Sequence, residues 1–283
     1  MPGIGRFFDI LLKLRNQVDY PLRQALHLGR SGLRFTNESK QDLYSHLPPA
    51  RRRAAEKTER RLRQQYHLEA LYQHSTADNY RENLYYLDLL EKALQAAGDP
   101  LPSPLAAADI GPSHWFYVQA LWAALCWWDA PQERQVDLTG YEVDAYRLYA
   151  DFRSRLEHAR AHLEGLPGSK VRCLPQGFSR QPGRFDFIAM LFPFVFLHDH
   201  LVWGLPQGLF DPFSLLQDAW DSLKPGGVLL IINQGQEEHE AQARMLSRLE
   251  SGPGAALVQT AFQHHSDLYH YDIPRFVLVC RHG

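Results

Sequence analysis

The stretch LAAADIGP at residues 105–112, followed by VDLTGYE at residues 136–142, decides the fold of this chain. An apolar run ends in Asp109-Ile110-Gly111, a helical pattern begins near Ser113, and a second apolar run ends in Gly140-Tyr141-Glu142. The pattern predicts a strand–turn–helix–strand unit with an acidic residue at the tip of each strand. In an open α/β sheet, ligands bind in the crevice beyond the carboxyl ends of the strands.

The acid at the tip of the second strand, Glu142, indicates what that crevice binds. A carboxylate in this position can hold the two hydroxyls of a ribose, so the unit predicts a nucleoside-containing cofactor. The sequence contains no Gly-x-x-x-x-Gly-Lys-Ser/Thr loop and no Gly-x-Gly-x-x-Gly after the first strand. Nucleoside triphosphates and pyrophosphate-bearing dinucleotides are therefore not favoured.

Strands and helices alternate through the rest of the chain. The predicted strands cover residues 105–110, 136–142, 170–174, 185–192, 227–233, 256–264 and 275–281. The predicted helices cover residues 113–128, 144–164, 211–223 and 237–250. This alternation predicts an α/β domain with a doubly wound, mostly parallel sheet and helices on both faces.

The ordered set of motifs adds a resemblance to the reasoning from the residues. The turn Lys224-Pro225-Gly226-Gly227 precedes a buried strand, and the chain closes with the strand Arg275-Phe276-Val277-Leu278-Val279. With these motifs, residues from about 103 to 283 resemble a class I S-adenosylmethionine-dependent methyltransferase. The resemblance implies a seven-stranded Rossmann-like sheet and S-adenosyl-L-methionine as cofactor. It also implies methyl transfer to an unidentified acceptor, for which a small molecule is favoured. Ser113 and Trp115 occupy two positions where the family usually has glycine.

The resemblance assigns nine residues to cofactor binding: Asp109, Gly111, Pro112, Ser113, Glu142, Val143, Gln176, Gly177 and Phe192. Asp109 and Gly111 would shape the first turn, although Asp109 could instead only cap the helix near Ser113. Glu142 would bind the ribose, the alternative being a solvated strand end. Gln176 and Gly177 would lie near adenine. Phe192 would face the methyl group, or simply continue the core strand into an aromatic loop.

His198 and His200 are the candidate catalytic residues, in a loop after the fourth strand of the sheet domain. A histidine near its ordinary pKa can take a proton from an oxygen or nitrogen nucleophile. The alternative is an ordinary polar loop. Third and fourth ligands are not evident beside these histidines, so no metal site is expected.

Residues 1–100 are predicted to form a helical segment, and residues 101–283 a separate domain. The proline-rich linker 99–104 marks the boundary between them. One helix is predicted from Pro49 to about Gln73, and another from the Ser75–Asp78 region to Gly98. The segment is expected to cover the pocket on the substrate side. Tyr80, Tyr85 and Tyr86 would line that lid or pack against the sheet domain, and packing is the favoured alternative.

Composition limits the partners that we expect. The formal net charge is −2 and the pI is about 6.7, so no global attraction to nucleic acid or to membranes is expected. Three scattered cysteines, Cys126, Cys173 and Cys280, favour a reducing compartment, and we expect a cytoplasmic location without a membrane partner. No apolar run approaches the length of a membrane span. Oligomeric state does not follow from these features.

Two alternative functions stay open at this level. The replacement of two glycines in the first turn fits a catalytically silent binding or scaffold protein that kept the fold. A basic stretch fits an RNA-directed methyltransferase, although such runs are usually solvated helix faces. This basic stretch consists of Arg51, Arg52, Arg53, Lys57, Arg60, Arg61 and Arg63.

Overall fold

The computed structural model describes residues 2–250 and 257–283, and within them seven strands form one sheet. The strands are β1 (Leu105–Ile110), β2 (Val136–Tyr141), β3 (Val171–Leu174), β4 (Phe185–Leu191), β5 (Leu223–Gln234), β6 (Leu257–His264) and β7 (Arg275–His282). Their order is β3-β2-β1-β4-β5-β7-β6; β7 runs antiparallel to both of its neighbours, β5 and β6, and the other paired strands are parallel. The predicted fold class, a doubly wound and mostly parallel seven-stranded sheet, is confirmed.

Helices cover both faces of this sheet. They are α1 (Pro2–Leu26), α2 (Pro49–Gln65), α3 (Glu69–His74), α4 (Ala77–Ala97), α5 (Val118–Trp127), α6 (Arg155–His162), α7 (Leu197–Trp203), α8 (Pro212–Asp221) and α9 (Gly235–Glu250). One face packs against α4 and α5, and the other against α8 and α9. In β5, Leu230 and Ile232 enter the first core while Leu229 and Ile231 enter the second. Because β5 is buried on both faces, its sequence is a continuous apolar run.

The strand order creates a crevice beside β1. The chain moves from β1 outward through β2 to β3, and then returns to the other side of β1 as β4. The loops after β1 and β4 therefore diverge beyond the carboxyl ends of these two strands. Such a reversal of strand order is where α/β sheets bind ligands.

The predicted helix over residues 144–164 is wrong in its first half. Helix α6 begins only after Ser154, whose side chain accepts the backbone N–H of Glu157. Phe152 has a φ of +60°, and Leu148 forms a β-bridge with Ser154. A left-handed residue cannot continue a right-handed helix, so the apolar periodicity of this stretch reflects a packed loop.

Three other boundaries differ from prediction. The helix expected over residues 49–73 is two helices, α2 and α3, with His67 between them at a φ of +54°. Helix α5 begins at Val118, not near Ser113, because Ser113 and Trp115 have positive φ values. The predicted loop that carries the two candidate catalytic histidines is helix α7.

Helix α4 joins the N-terminal segment to the sheet. Thr76 caps it by accepting the N–H of Asn79 at 3.1 Å, and Gly98 follows its end with a φ of +89°. Tyr80, Tyr85 and Tyr86 are buried in a core that also contains residues of β1 and β7, which supports the packing alternative for these tyrosines. Among the described helices, none is long and apolar enough to cross a membrane.

Candidate functional site

The turn after β1 has an unusual backbone. Gly111 has a φ of +71° and donates its N–H to the carbonyl of Tyr141 at 2.9 Å. Ser113 and Trp115 also have positive φ values, +57° and +55°, which L-residues adopt rarely. Such conformations persist only where the surroundings enforce them, and they concentrate at functional sites.

The side chain of Trp115 packs against this turn and holds it in place. Its side chain is fully buried, and its indole Nε1 donates to Asp109 Oδ2 at 2.7 Å. Its ring lies against Gly140, where an added Cβ would come within 2.8 Å of Trp115 Cη2. Asp109 and Gly140 are register partners in β1 and β2. The tryptophan therefore packs on the face of the sheet beneath the turn.

Asp109 is held by this tryptophan. Its carboxyl is fully buried, and burial raises its pKa to about 7, while Tyr117 and Trp115 act in the opposite direction. Helix α5 has no side-chain cap at its N-terminus. The alternative that Asp109 caps this helix is therefore wrong, and its contact with Trp115 fixes the shape of the turn.

Glu142 connects the turn to the end of β2. One oxygen accepts the N–H of Ser113 at 2.7 Å, and the other accepts the N–H of Asp144 at 2.8 Å. Its side chain is buried, which raises its pKa, while Arg155 and the two backbone N–H groups oppose that shift. The alternative of a solvated strand end is wrong. A carboxylate offers about four lone-pair positions, so two remain beyond these backbone bonds.

A buried charge network surrounds this acid. Asp144 is fully buried and pairs with Arg155 at 3.1 Å and with Arg23 of α1 at 2.6 Å. Arg155 lies 3.8 Å from Glu142. Because a buried charge is costly without partners, the two guanidinium groups fix the position of both acids.

The predicted adenine slot is narrow. A Cβ added to Gly177 would lie 3.6 Å from Cγ2 of Val143, an ordinary contact distance. Gln176 and Gly177 are exposed, and the carbonyl of Val143 accepts hydrogen bonds from Tyr20 and Gln24 of α1, both at 3.1 Å. An aromatic ring needs about 3.5–4 Å on each side. Binding of adenine between these residues therefore requires the segment around Gly177 to move outward.

The other side of the crevice is aromatic and cationic. Phe192, after β4, has a φ of +58° and donates its N–H to Ile232 at 2.7 Å. The guanidinium of Arg275 lies 4.7 Å from the Phe192 ring centre and 4.0 Å from that of Tyr271. Tyr271 donates to Glu82 at 2.6 Å, and burial raises the pKa of Glu82 to about 7.

Sequence reasoning assigned no role to Arg275, which is buried and has no acidic side chain within 4.0 Å among the described residues. The only signal for it was a cation at the start of an apolar strand. A cleft of about 230 Å³ lies beside Arg275's neighbour Tyr271 and is also lined by Tyr85 and His264.

The two candidate catalytic histidines have different surroundings on α7. His198 is exposed, and its Nδ1 lies 2.8 Å from Asp9 of α1. His200 is buried, its Nε2 lies 3.0 Å from the carbonyl of Pro206, and burial lowers its pKa. These contacts give His198 the more accessible ring, and the catalytic role of both histidines stays a prediction.

A second histidine cluster lies beside the first turn and was not anticipated. His114 Nδ1 lies 2.9 Å from the hydroxyl of Tyr149, and Ser113 Oγ lies 3.3 Å from the same hydroxyl. His158 pairs with Asp151 at 3.2 Å. Burial lowers the pKa of His114 to about 4, so this ring is neutral near pH 7. Within the described parts of the chain, no group of side chains could hold a metal ion.

The basic stretch on α2 is largely paired with acids. Arg51 contacts Asp267, Arg61 binds Glu91 at 2.6 Å, and Arg63 contacts Glu69. Arg52 lies within reach of Glu56 and Asp42. These pairs fit the solvated helix face that is the alternative to an RNA surface.

No protein-family model and no curated protein matches the sequence. Among solved structures, the chain resembles a SAM-dependent methyltransferase from Aquifex aeolicus, with 17% identity, a TM-score of 0.45, and 69% of this chain and 89% of that chain covered. It also resembles a SAM-dependent O-methyltransferase from Thermotoga maritima (12% identity, TM-score 0.41, 71% and 64% covered). A third is an rRNA methylase from Streptococcus thermophilus (12% identity, TM-score 0.40, 70% and 93% covered). At this level of sequence identity, the similarity concerns the backbone fold alone.

Proposed function

We propose that this protein is an S-adenosyl-L-methionine-dependent methyltransferase acting on an unidentified acceptor, with a small molecule favoured. The observation that carries the proposal is the fixed position of Glu142 beside a turn that contains three residues with positive φ. A buried carboxylate at this strand tip, adjacent to the point where the strand order reverses, fits a ribose diol.

The residues of the crevice divide the proposed binding between them. Gly111, Pro112 and Ser113 would present backbone to the amino-acid part of the cofactor, Glu142 would accept from the ribose, and Val143, Gln176 and Gly177 would enclose adenine. When bound, S-adenosylmethionine supplies a methyl group on a positively charged sulfur, which is already activated for transfer. The ring of Phe192 would face that charge, because aromatic faces attract cations, and would exclude water.

Positioning would supply most of the rate acceleration, since the methyl group needs no further activation. The loops after β1 and β4 would orient the acceptor in line with the bond that breaks. A base is needed only where the acceptor must lose a proton. His198 stays our candidate ahead of His200, because its ring is accessible and its Nδ1 is oriented by Asp9.

A scaffold protein without activity is the second candidate, and a specific observation favours it. Val143 and Gly177 leave too little room for an aromatic ring unless the segment around Gly177 moves outward. Under this alternative, the crevice keeps its fold but binds no cofactor.

Ligand binding separates the two candidates. We expect S-adenosylmethionine, or its demethylated product, to stabilise the protein by about 2.7 kcal/mol at a ligand concentration of 100 times the dissociation constant. Glu142→Gln should lose most of this stabilisation, because its amide nitrogen can accept neither a ribose hydroxyl nor the backbone N–H that one oxygen of Glu142 binds. The measurement is the thermal unfolding midpoint with and without ligand.

A matched control lies at the opposite end of the same strand. Asp137 is exposed and pairs with Arg172, so Asp137→Asn should leave the ligand-induced shift unchanged. The absence of any shift in the parent protein with either compound would establish the scaffold alternative. A parent-like shift in Glu142→Gln would show that the ribose lies elsewhere.

A further inference from the structure

Arg275 lies at the edge of the sheet where ligands bind. Strand β7 runs antiparallel to β5, so it begins beside the carboxyl end of β5, and Arg275 pairs in register with Gln234. Its guanidinium lies 4.7 Å from the ring centre of Phe192, in the loop after β4. Glu142 follows β2, and β1 lies between β2 and β4 in the sheet. Arg275 therefore borders the side of the crevice opposite Glu142.

Three arginines are buried among the described residues, and Arg275 differs from the other two in its partners. Arg155 pairs with Asp144 at 3.1 Å, and Arg134 donates through Nη1 and Nη2 to two backbone carbonyls. Arg275 donates through Nη1 to the carbonyl of Ile273 at 3.2 Å, and its buried Nε has no hydrogen-bond partner in the described parts of the chain. A guanidinium has five N–H donors, and a buried charge is costly without partners. This group can therefore bind an anion.

The hydroxyl of Tyr86 is a second buried group without a partner. Tyr86 of α4 is fully buried, and among the described residues its hydroxyl has no partner at hydrogen-bonding distance and angle. Burial raises the pKa of this hydroxyl, while the neighbouring Arg275 acts in the opposite direction. The ring centre of Tyr86 lies 6.1 Å from that of Tyr271, whose ring Arg275 covers at 4.0 Å. A guanidinium and a neutral hydroxyl therefore lie beside each other, and both have hydrogens to donate.

The cleft of about 230 Å³ gives a small ligand space next to this pair. It is formed by the loop between β6 and β7, and its lining includes Tyr271, Ile273 and Pro274. Tyr271 and Ile273 are contacts of the Arg275 guanidinium, and Pro274 is the preceding residue. Tyr85 adds another aromatic ring to the lining. A cleft with aromatic walls and few charged groups is typical of sites for small molecules.

The charge around Arg275 favours a ligand with a single negative charge. Two acids, Glu82 and Glu238, lie close enough for Arg275 to lower their pKa values, although burial raises both. A phosphate dianion would be repelled by these acids, and the single positive charge of Arg275 would not balance it. A carboxylate carries one charge, and its two oxygens match the fork of a guanidinium.

We propose that Arg275 and Tyr86 bind the carboxylate of the methyl acceptor, so the acceptor is a small carboxylic acid in its ionised form. The guanidinium would donate Nε–H and one Nη–H to the two oxygens, and the Tyr86 hydroxyl would donate a third hydrogen bond. Because the guanidinium also lies over Phe192, the rest of the acceptor would extend toward the ring that is proposed to face the methyl group. This inference rests on the proposed function, since it names the acceptor of the same site.

Binding of benzoate tests the proposal without requiring methyl transfer. We expect the parent protein to bind benzoate in isothermal titration calorimetry, and to bind benzamide, its neutral analogue, at least about tenfold more weakly. Arg275→Met should weaken benzoate binding at least about tenfold, because a charged donor is lost. Tyr86→Phe removes only a hydroxyl without a partner, so it should keep the urea midpoint and weaken benzoate binding about fivefold.

Arg248→Met is the matched control. Arg248 is exposed and lies 3.9 Å from the ring centre of Phe213, a similar contact between arginine and phenylalanine outside the site. This variant should bind benzoate like the parent protein, and urea midpoints should show that each variant is folded. Absence of benzoate binding in the parent, or parent-like binding in Arg275→Met or in Tyr86→Phe, would overturn the proposal. Inorganic phosphate that binds the parent more tightly than benzoate, and loses this affinity in Arg275→Met, would also overturn it.

The demethylated product of the cofactor separates this proposal from the proposed function. A saturating concentration of the product should leave benzoate binding in place, because the two ligands would occupy different parts of the crevice. Mutual exclusion would mean that Arg275 binds the carboxylate of the cofactor, which would overturn its role toward the acceptor. If neither cofactor nor product binds, while benzoate binding still depends on Arg275 and Tyr86, methyl transfer fails as the function and the carboxylate site stands.

Discussion

The β1–α5–β2 crossing buries its apolar side chains, whereas helix α1 exposes many of its own. In the crossing, apolar side chains point inward, and buried acids have partners: Asp109 accepts from Trp115, and Glu142 accepts from two backbone N–H groups. In α1, Asn16 and Arg23 point inward while leucines point outward. The crossing is held by the core of its own domain, whereas α1 is attached by polar contacts and leaves its hydrophobic face exposed.

The largest expected effect tests how the crossing tolerates a buried acid. Burial raises the pKa of Asp109 from 3.8 to about 7. Because the folded state then binds a proton that the unfolded state has released, stability falls as the pH rises from about 4 to 7. A shift of about three pKa units corresponds to on the order of 4 kcal/mol. Asp109→Asn keeps an acceptor for Trp115 and should remove most of this slope, as urea unfolding across pH 4–8 would show.

Glu82 complicates the same pH window, because its pKa is also raised to about 7 by burial. Glu82→Gln should flatten part of the profile, and the double variant with Asp109→Asn should flatten it further. An unchanged slope in Asp109→Asn would mean that this carboxyl is ionised in the folded protein, and that the crossing holds a charge in its core.

The second effect tests whether the crossing depends on close packing. A Cβ at Gly140 would lie 2.8 Å from Cη2 of Trp115, which is closer than a real Cβ atom approaches a neighbour. Gly140→Ala should therefore lower the free energy of unfolding by about 3 kcal/mol through overpacking. Gly168→Ala is the control, because Gly168 is exposed and no heavy atom lies within 4 Å of an added Cβ. Equal urea midpoints for the two variants would show that Trp115 can shift without cost.

Much of the sheet could be predicted because parallel strands buried on both faces appear as short apolar runs with turn residues between them. Acids at the ends of two such runs identified the crevice. The tertiary role of Trp115 could not be predicted, since it depends on Gly140, which is 25 positions further along the chain. Helix α6 was predicted too long because loop residues such as Phe152 happen to follow helical spacing.

The orientation of α1 could not be predicted from the sequence, for a different reason. A helical period shows that a helix has an apolar face, but it does not show whether that face meets the core. Averaged net charge likewise does not show how charge is distributed along the chain, as in the positive segment at residues 8–34. Arg275 was missed for a related reason, because its aromatic neighbours Phe192 and Tyr271 come together only in the fold.

The smallest expected effect concerns the attachment of α1. Asn16 is 1% exposed and donates to the carbonyls of Leu201 and Leu205, so Asn16→Ala removes a donor from each, although Leu201 keeps the N–H of Gly204. We expect a loss of about 1–2 kcal/mol, confined to the docking of α1. Hydrogen exchange should accelerate in α1 while the amides of β1 and β2 stay protected. Gln17→Ala, on the exposed side, is the control and should change neither. If Asn16→Ala lowered protection in α1 and in the sheet equally, α1 would belong to the same cooperative unit as the crossing, and the contrast between the two regions would disappear.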